Sequence, residues 1–166
     1  MIYNIYKPVG WTSFDVVKKI RSITRHKKVG HGGTLDPFAE GVLIVGTGKG
    51  TKHLSSVSSE QKSYQAIIQL GVETDTLDNE GEAVKETVVP KMSIKQIANV
   101  LDTFLGDYFH KPPMYSAKKI NGTPLYKLAR KNITIERKEI ISTIYDIRLN
   151  DFSKDLINFS VTCSKG

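Results

Sequence analysis

One short stretch concentrates what chemistry needs: Gly30-His31-Gly32-Gly33-Thr34-Leu35-Asp36-Pro37-Phe38-Ala39-Glu40-Gly41. Four glycines in twelve residues permit positive φ and close approach of the backbone to another molecule. Among them stand one imidazole, His31, and one carboxylate, Asp36, whose direction is restricted by the proline behind it. A carboxylate held in this way can act as a nucleophile. The apolar run Val42-Leu43-Ile44-Val45 follows at once and reads as a buried strand, so a loop carrying reactive groups is tied to a rigid element. The same residues also suit an ordinary turn, because Asp-Pro starts turns and Gly-Gly fills them.

The elements that must position this stretch are legible on either side. Ile2 to Tyr6 forms a short strand, ended by Pro8 and Gly10. Thr12 and Asp15 make a capping box ahead of Phe14, Val16, Val17, Ile20 and Ile23, whose spacing predicts a helix over 13–25. Lys18, Lys19, Arg21, Arg25, Lys27 and Lys28 load its other faces and its exit, where cations suit the helix dipole. Gln65 to Leu70 reads as a strand closed by Gly71, and the acidic stretch 73–81 as a loop or hairpin connection. Ser93 and Gln96 form a second capping box, with apolar residues through Leu105 and Gly106 as the stop. Residues 107–122, with Pro112, Pro113 and Gly122, cannot be one regular element. Thr123 and Pro124 are expected to start a third helix that stops at Asn132. Two alternating runs, Ile141 to Leu149 and Ile157 to Cys163, read as an antiparallel pair. The expected class is α+β, a mixed, mainly antiparallel sheet flanked by helices.

At 166 residues the chain suits one domain with a core of its own. It has no apolar run of membrane-spanning length and no signal-peptide pattern at Met1-Ile2-Tyr3-Asn4. The single Cys163 excludes an internal disulfide, and no His/Cys spacing fits a zinc site. A reducing, cytoplasmic setting is expected. The net charge of +7 is unevenly spread, at +6 over residues 1–55, −5 over 56–110 and +6 over 111–166. Two basic blocks around an acidic one suit a polyanion-binding surface, or simply a solvated lysine-rich one.

Several segments stand in a specific order. They are Lys7-Pro8-x-Gly10 with Thr12-Ser13; Gly30-His31-Gly32-Gly33-Thr34-Leu35-Asp36-Pro37 with Gly41-Val42-Leu43; and Thr51-Lys52 before Lys62-x-Tyr64. Thr74-Asp75-Thr76 follows, then Pro112-Pro113-Met114-Tyr115-Ser116-Ala117 with Gly122, Leu125-Tyr126 and Ala129-Arg130, and finally Cys163-Ser164-Lys165-Gly166. Over nearly its whole length the chain resembles the tRNA uridine-55 pseudouridine synthase family, the TruB type. The resemblance implies a pseudouridine synthase fold, incomplete at the C-terminus, as one catalytic domain over 1–166 with an RNA-gripping insertion around 107–132. It implies isomerisation of uridine in the T-loop of tRNA, with Asp36 as the catalytic carboxylate and Tyr64 stacking on the uracil and handling its C5 proton. His31 would lie against the RNA where the flipped base was. Lys52, Lys118, Lys119, Arg130 and Lys131 would meet RNA, with Lys127 beside them, while Lys7, Pro8 and Gly33 would support the site. No cofactor or metal is implied. The partner would be the tRNA T-stem-loop, with no membrane, no obligate protein partner, and a monomeric state.

Departures from the family pattern are specific. Tyr6 stands where aspartate is usual, and Gly32 where threonine is more common. The family continues past Cys-Ser-Lys-Gly with Thr-Tyr-Ile-Arg, whose arginine pairs with the catalytic aspartate, whereas this sequence stops at Gly166. The chain is therefore expected to be a fragment, or to draw a cation from elsewhere, and a sheet ending at Cys163 is expected to leave a strand edge unpaired. Two other readings remain: the guide-RNA-dependent branch, which shares the aspartate motif, and a non-catalytic RNA-binding module. The long basic loop over 118–131 favours the stand-alone enzyme.

Overall fold

A computed structural model describes residues 1–120 and 122–164. The chain divides into two compact units, Met1–Glu60 and Gln61–Gly166.

In the first unit, strand β1 (Ile2–Lys7) leads through a turn to helix α1 (Ser13–Thr24). The capping box forms as the sequence predicts. The Thr12 hydroxyl accepts from the Asp15 N–H at 3.1 Å, and the Asp15 carboxylate accepts from the Thr12 N–H at 3.1 Å. Arg25 ends the helix in the left-handed region at φ 54°. Strands β2 (Val29–His31) and β3 (Gly41–Thr47) complete an antiparallel sheet in the order β1-β3-β2. The register places Lys7 opposite Gly41 and His31 opposite Val45. Val16 of α1 packs on Leu43 and Val45 of β3, with Ile5, Ile20, Val29 and Leu35 around them. A 3-10 helix (Gly48–His53) and helix α2 (Leu54–Ser59) close the unit. Neither has a periodic apolar pattern, and sequence reading misses both. Gly50 has a steric reason: a Cβ there would meet the Met1 carbonyl oxygen at 2.2 Å.

In the second unit, β4 (Lys62–Gln69) begins three residues earlier than expected. A small hairpin of β5 (Val72–Thr74) and β6 (Ala83–Glu86) carries the acidic connection. Helix α3 (Ile94–Asp102) has the expected Ser93–Gln96 box but stops short of Leu105. Thr103, Phe104 and Leu105 instead continue as turns, their N–H groups bonded to Val100, Leu101 and Asp102 carbonyls. Strand β7 (Gly106–His110) follows, ending before the prolines of the 107–122 segment, which is not one regular element, as expected. Next come a two-residue ribbon of β8 (Lys119–Ile120) and β9 (Thr123–Pro124), then helix α4 (Leu125–Ala129). The expected third helix therefore starts one residue late, because Thr123 and Pro124 are spent on pairing with β8 and Pro124 rather than Thr123 becomes the N-cap. Asn132, read as its stop, lies beyond the helix at φ 57°.

The long strands β10 (Ile140–Ser153) and β11 (Leu156–Cys163) form the expected antiparallel pair, in a sheet ordered β4-β11-β10-β7. Strand β11 is thus flanked on both sides. The strand ending at Cys163 is interior, and the edges of this sheet among the described residues are β4 and β7. Ile97 and Leu101 of α3 cover Ile147 and Ile157 on one face. The opposite face is polar, with Ser63 bonded to Thr162 at 2.8 Å, and Gln65 and Asn150 both donating to Asn158. All strand pairs among the described residues are antiparallel.

Candidate active-site loop and basic segment

The Asp36 loop joins β2 to β3, and its backbone is held on both sides of the exposed carboxylate-bearing residue. On the near side, Leu35 places its side chain against the Val16–Leu43–Val45 core. The Ser13 hydroxyl, 3% exposed, donates to the Leu35 carbonyl at 3.1 Å and accepts from the Leu35 N–H at 2.9 Å. On the far side, the Pro37 carbonyl accepts from the Gly10 N–H at 2.8 Å and from the Lys7 ammonium at 3.4 Å. The Ala39 N–H closes a turn onto the Asp36 carbonyl at 3.1 Å. The turn reading of Asp-Pro and the site reading are therefore compatible: the turn aims the side chain.

Lys7 is the most unusual group in this unit. It is 0% exposed, and its three ammonium hydrogens go to the carbonyls of Pro8 at 3.0 Å, Trp11 at 2.6 Å and Pro37. Burial pulls its pKa below the ordinary lysine value, while the nearby charges of Asp36 and Glu40 work against that shift. The Lys7 end of β1 thus supplies positive potential at the Asp36 loop. Glu40 also accepts from the Tyr6 hydroxyl at 2.5 Å, a bond that raises the Tyr6 pKa. Pro8 is exposed beside this cage.

Two expectations for the glycine-rich stretch change. Gly30 and His31 belong to β2 rather than to a free loop. Of the four glycines only Gly41 has positive φ, at 115°. Gly32 is buried against Leu54, while a side chain at Gly33 would meet open space. The His31 ring nitrogen Nδ1 pairs with the Gly33 carbonyl. His31, Gly33, Thr34, Leu54 and Ser55 line a shallow open depression of about 310 Å³. Lys52 is exposed in the 3-10 helix that follows β3.

In the second unit Tyr64 stands on β4 opposite Val161, with its neighbours Ala66 and Ile68 opposite Phe159 and Ile157. It shares the apolar face of the sheet yet remains 43% exposed. Burial, with Cys163 as the lesser cause, raises the pKa of its hydroxyl. Ring and polar edge are thus both available. Residues 107–132 hold the basic candidates. Lys118 and Lys119 are exposed at the β8 ribbon, where the Lys118 carbonyl accepts from the Leu125 N–H at 2.8 Å. Arg130 and Lys131 are exposed at the end of α4, with the Arg130 guanidinium 5.5 Å from the Tyr126 ring centre. The ribbon and the helix end belong to one short folded unit around the fully buried Leu125. Cys163 and Ser164 of the terminal motif are held, since the Ser164 N–H donates to the Thr143 carbonyl at 2.8 Å. Lys165 and Gly166 lie outside the described residues.

Sequence reading does not single out Ser13 as a site residue. Its signals are its place in the Thr12-Ser13 segment and its position directly behind the N-cap, and neither points to Leu35, which is far away in the chain. Among the described residues, no group of three His, Cys, Asp or Glu side chains is placed to hold a metal ion, and no helix is long and apolar enough to cross a membrane.

Residues 21–166 match the model of the TruB family pseudouridylate synthase N-terminal domain. The chain is 49% identical over 165 residues to tRNA pseudouridine synthase B of Clostridium novyi (strain NT), covering 99% of this chain and 57% of that protein. It is 46% identical over 165 residues to tRNA pseudouridine synthase B of Clostridium tetani (strain Massachusetts / E88), with the same two coverages. It therefore spans a little over half the length of these curated relatives. Among solved structures, a chain in the crystal structure of a Cbf5-Nop10-Gar1 complex matches with TM-score 0.71 and 25% identity, over 99% of this chain and 40% of that one.

Proposed function

As this chain belongs to the TruB family of pseudouridylate synthases, we propose that it carries the catalytic part of a tRNA pseudouridine synthase acting on uridine-55 of the T-loop. The observation that carries this reading is the two-sided hold on the Asp36 loop, which fixes the backbone at Leu35 and Pro37 and leaves residue 36 itself exposed. A carboxylate so presented suits a reaction in which the bond from ribose C1′ to N1 breaks, the uracil turns, and C1′ rejoins the base at C5. Asp36 acts as the nucleophile or the stabiliser of the cationic sugar. The C5 proton leaves to solvent and N1 gains one, so the product is an isomer and no cofactor is consumed.

Reaching the target requires extruding the base, at a cost of a few kcal/mol. His31 occupies the gap left in the RNA, and Tyr64 stacks on the uracil, a contact worth about 1–3 kcal/mol. Lys52, Lys118, Lys119, Arg130 and Lys131 meet phosphates, which position the RNA without reading its sequence. The enzyme works as a cytoplasmic monomer without an obligate protein partner. The test is tritium release from C5-labelled uridine in a T-stem-loop RNA. It is run with this chain and with a version continued past Gly166 as the family continues. Release dependent on a uridine at position 55 is the expected result; RNA binding without release by the continued version would favour a non-catalytic RNA-binding module.

A further inference from the structure

We infer that Ser13 is a positioning residue for the Asp36 carboxylate, acting through the backbone of Leu35; this inference rests on the proposed isomerisation.

Ser13 is the first residue of α1, behind an N-cap whose own hydrogen bonds are already satisfied within the Thr12–Asp15 box. Its hydroxyl is therefore not needed to cap the helix. It makes instead a reciprocal pair with one residue, donating to the Leu35 carbonyl and accepting from the Leu35 N–H. A serine hydroxyl has one hydrogen to donate, and here it is spent on that carbonyl. The arrangement copies the exchange between two residues of a β-bridge, with a side chain in place of one backbone.

The consequence lies one residue along the chain. The Leu35 carbonyl and the Asp36 amide belong to the same planar peptide, so fixing one fixes the other. With the Leu35 side chain in the core and Ser13 on both of its backbone polar groups, the peptide entering Asp36 has little freedom. The far side is held independently by Gly10 and Lys7 on Pro37. Loss of Ser13 would free the near side alone, leaving the carboxylate in place but no longer aimed. Misplacement of a reacting group by about 1 Å can cost roughly a hundredfold in rate.

The test uses Ser13→Ala and Ser13→Thr in the version continued past Gly166. Four quantities are read: single-turnover isomerisation, affinity for T-stem-loop RNA, the urea midpoint, and hydrogen exchange at the Leu35 amide. For Ser13→Ala the expected result is at least a tenfold loss of single-turnover rate with RNA affinity within twofold, at urea concentrations well below the midpoint. Leu35 amide exchange rises at least tenfold, and Ser13→Thr, which keeps the hydroxyl, recovers most of the rate. An unchanged rate in Ser13→Ala overturns the inference. So does a loss that follows RNA affinity or the folded fraction, or one that Ser13→Thr fails to recover while keeping Leu35 protected. No isomerisation by the parent overturns the functional reading itself, and with it the catalytic role of Ser13; that failure appears in the parent, whereas failure of the Ser13 inference appears only in the variants.

Discussion

The Lys7 ammonium donates to the carbonyl oxygen of Pro37 at 3.4 Å, so a cation with no solvent exposure is tied to the residue that follows Asp36. A buried charge persists only when its hydrogen-bonding capacity is met, and the Pro8, Trp11 and Pro37 carbonyls meet it. Fold and site are coupled at this point, because the same three bonds join the end of β1, the turn before α1 and the Asp36 loop.

Replacing Lys7 with methionine keeps most of the volume but takes the ammonium donor from the Pro8 and Trp11 carbonyls, while the Pro37 carbonyl keeps the Gly10 N–H. Stability should fall by about 2 kcal/mol or more, as when buried partners of a charged group go unsatisfied. Urea unfolding measures it; an unchanged midpoint would show that water replaces the ammonium at no cost.

Asp36→Asn should abolish isomerisation in the version continued past Gly166 while leaving RNA affinity within about tenfold, roughly 1.4 kcal/mol. In the proposed reaction the carboxylate serves chemistry, whereas phosphate contacts supply most of the binding. Residual tritium release above a few per cent of the parent's would remove Asp36 as the nucleophile.

Binding of T-stem-loop RNA should weaken steeply with salt, as Lys and Arg displace counterions from phosphates. Neutralising Lys118, Lys119, Arg130 and Lys131 together should flatten the plot of log affinity against log salt, by up to about 0.9 for each phosphate that no longer meets a cation. Fluorescence anisotropy across a salt series gives the slope, and an unaltered slope places the RNA grip elsewhere.

The N-terminal box of α1 should be pH-sensitive. The Thr12 hydroxyl, then the Thr12 backbone N–H, then Lys18 hold the Asp15 carboxyl below its ordinary value. A folded-state pKa lower than the unfolded one stabilises the fold above the unfolded value, about 3.9, and this contribution is lost as pH falls through the folded value. The urea midpoint of the parent should therefore exceed that of Asp15→Asn at neutral pH. The gap should close only below about pH 4. A gap that persists undiminished to pH 2 would mean that the ionised carboxylate is not its source.

Local chemistry is what the sequence by itself determines here. Thr12 with Asp15 and Ser93 with Gln96 start their helices through contacts three residues apart, and the alternation along 141–149 and 157–163 suffices for a strand pair. The Leu-Asp-Pro loop with its neighbouring motifs identifies the family. Tertiary structure decides what depends on partners distant in the chain. His31 becomes a strand residue because Val45 of β3 is there to pair with it. Thr123 and Pro124 leave the helix because Lys119 and Ile120 offer backbone partners. Strand β11 becomes interior because β4 joins its free side. Lys7 is marked in the sequence as a supporting residue by its Lys-Pro-x-Gly motif, but the three carbonyls that enclose it, one of them thirty residues away, appear only in the fold. A lysine or serine carries no local sign of burial, because burial depends on what the rest of the chain packs against it. The candidate carboxylate at Asp36 is thus legible from residue type and spacing, whereas the hold that Ser13 and Lys7 exert on its loop exists only once β1, α1 and the loop are packed together.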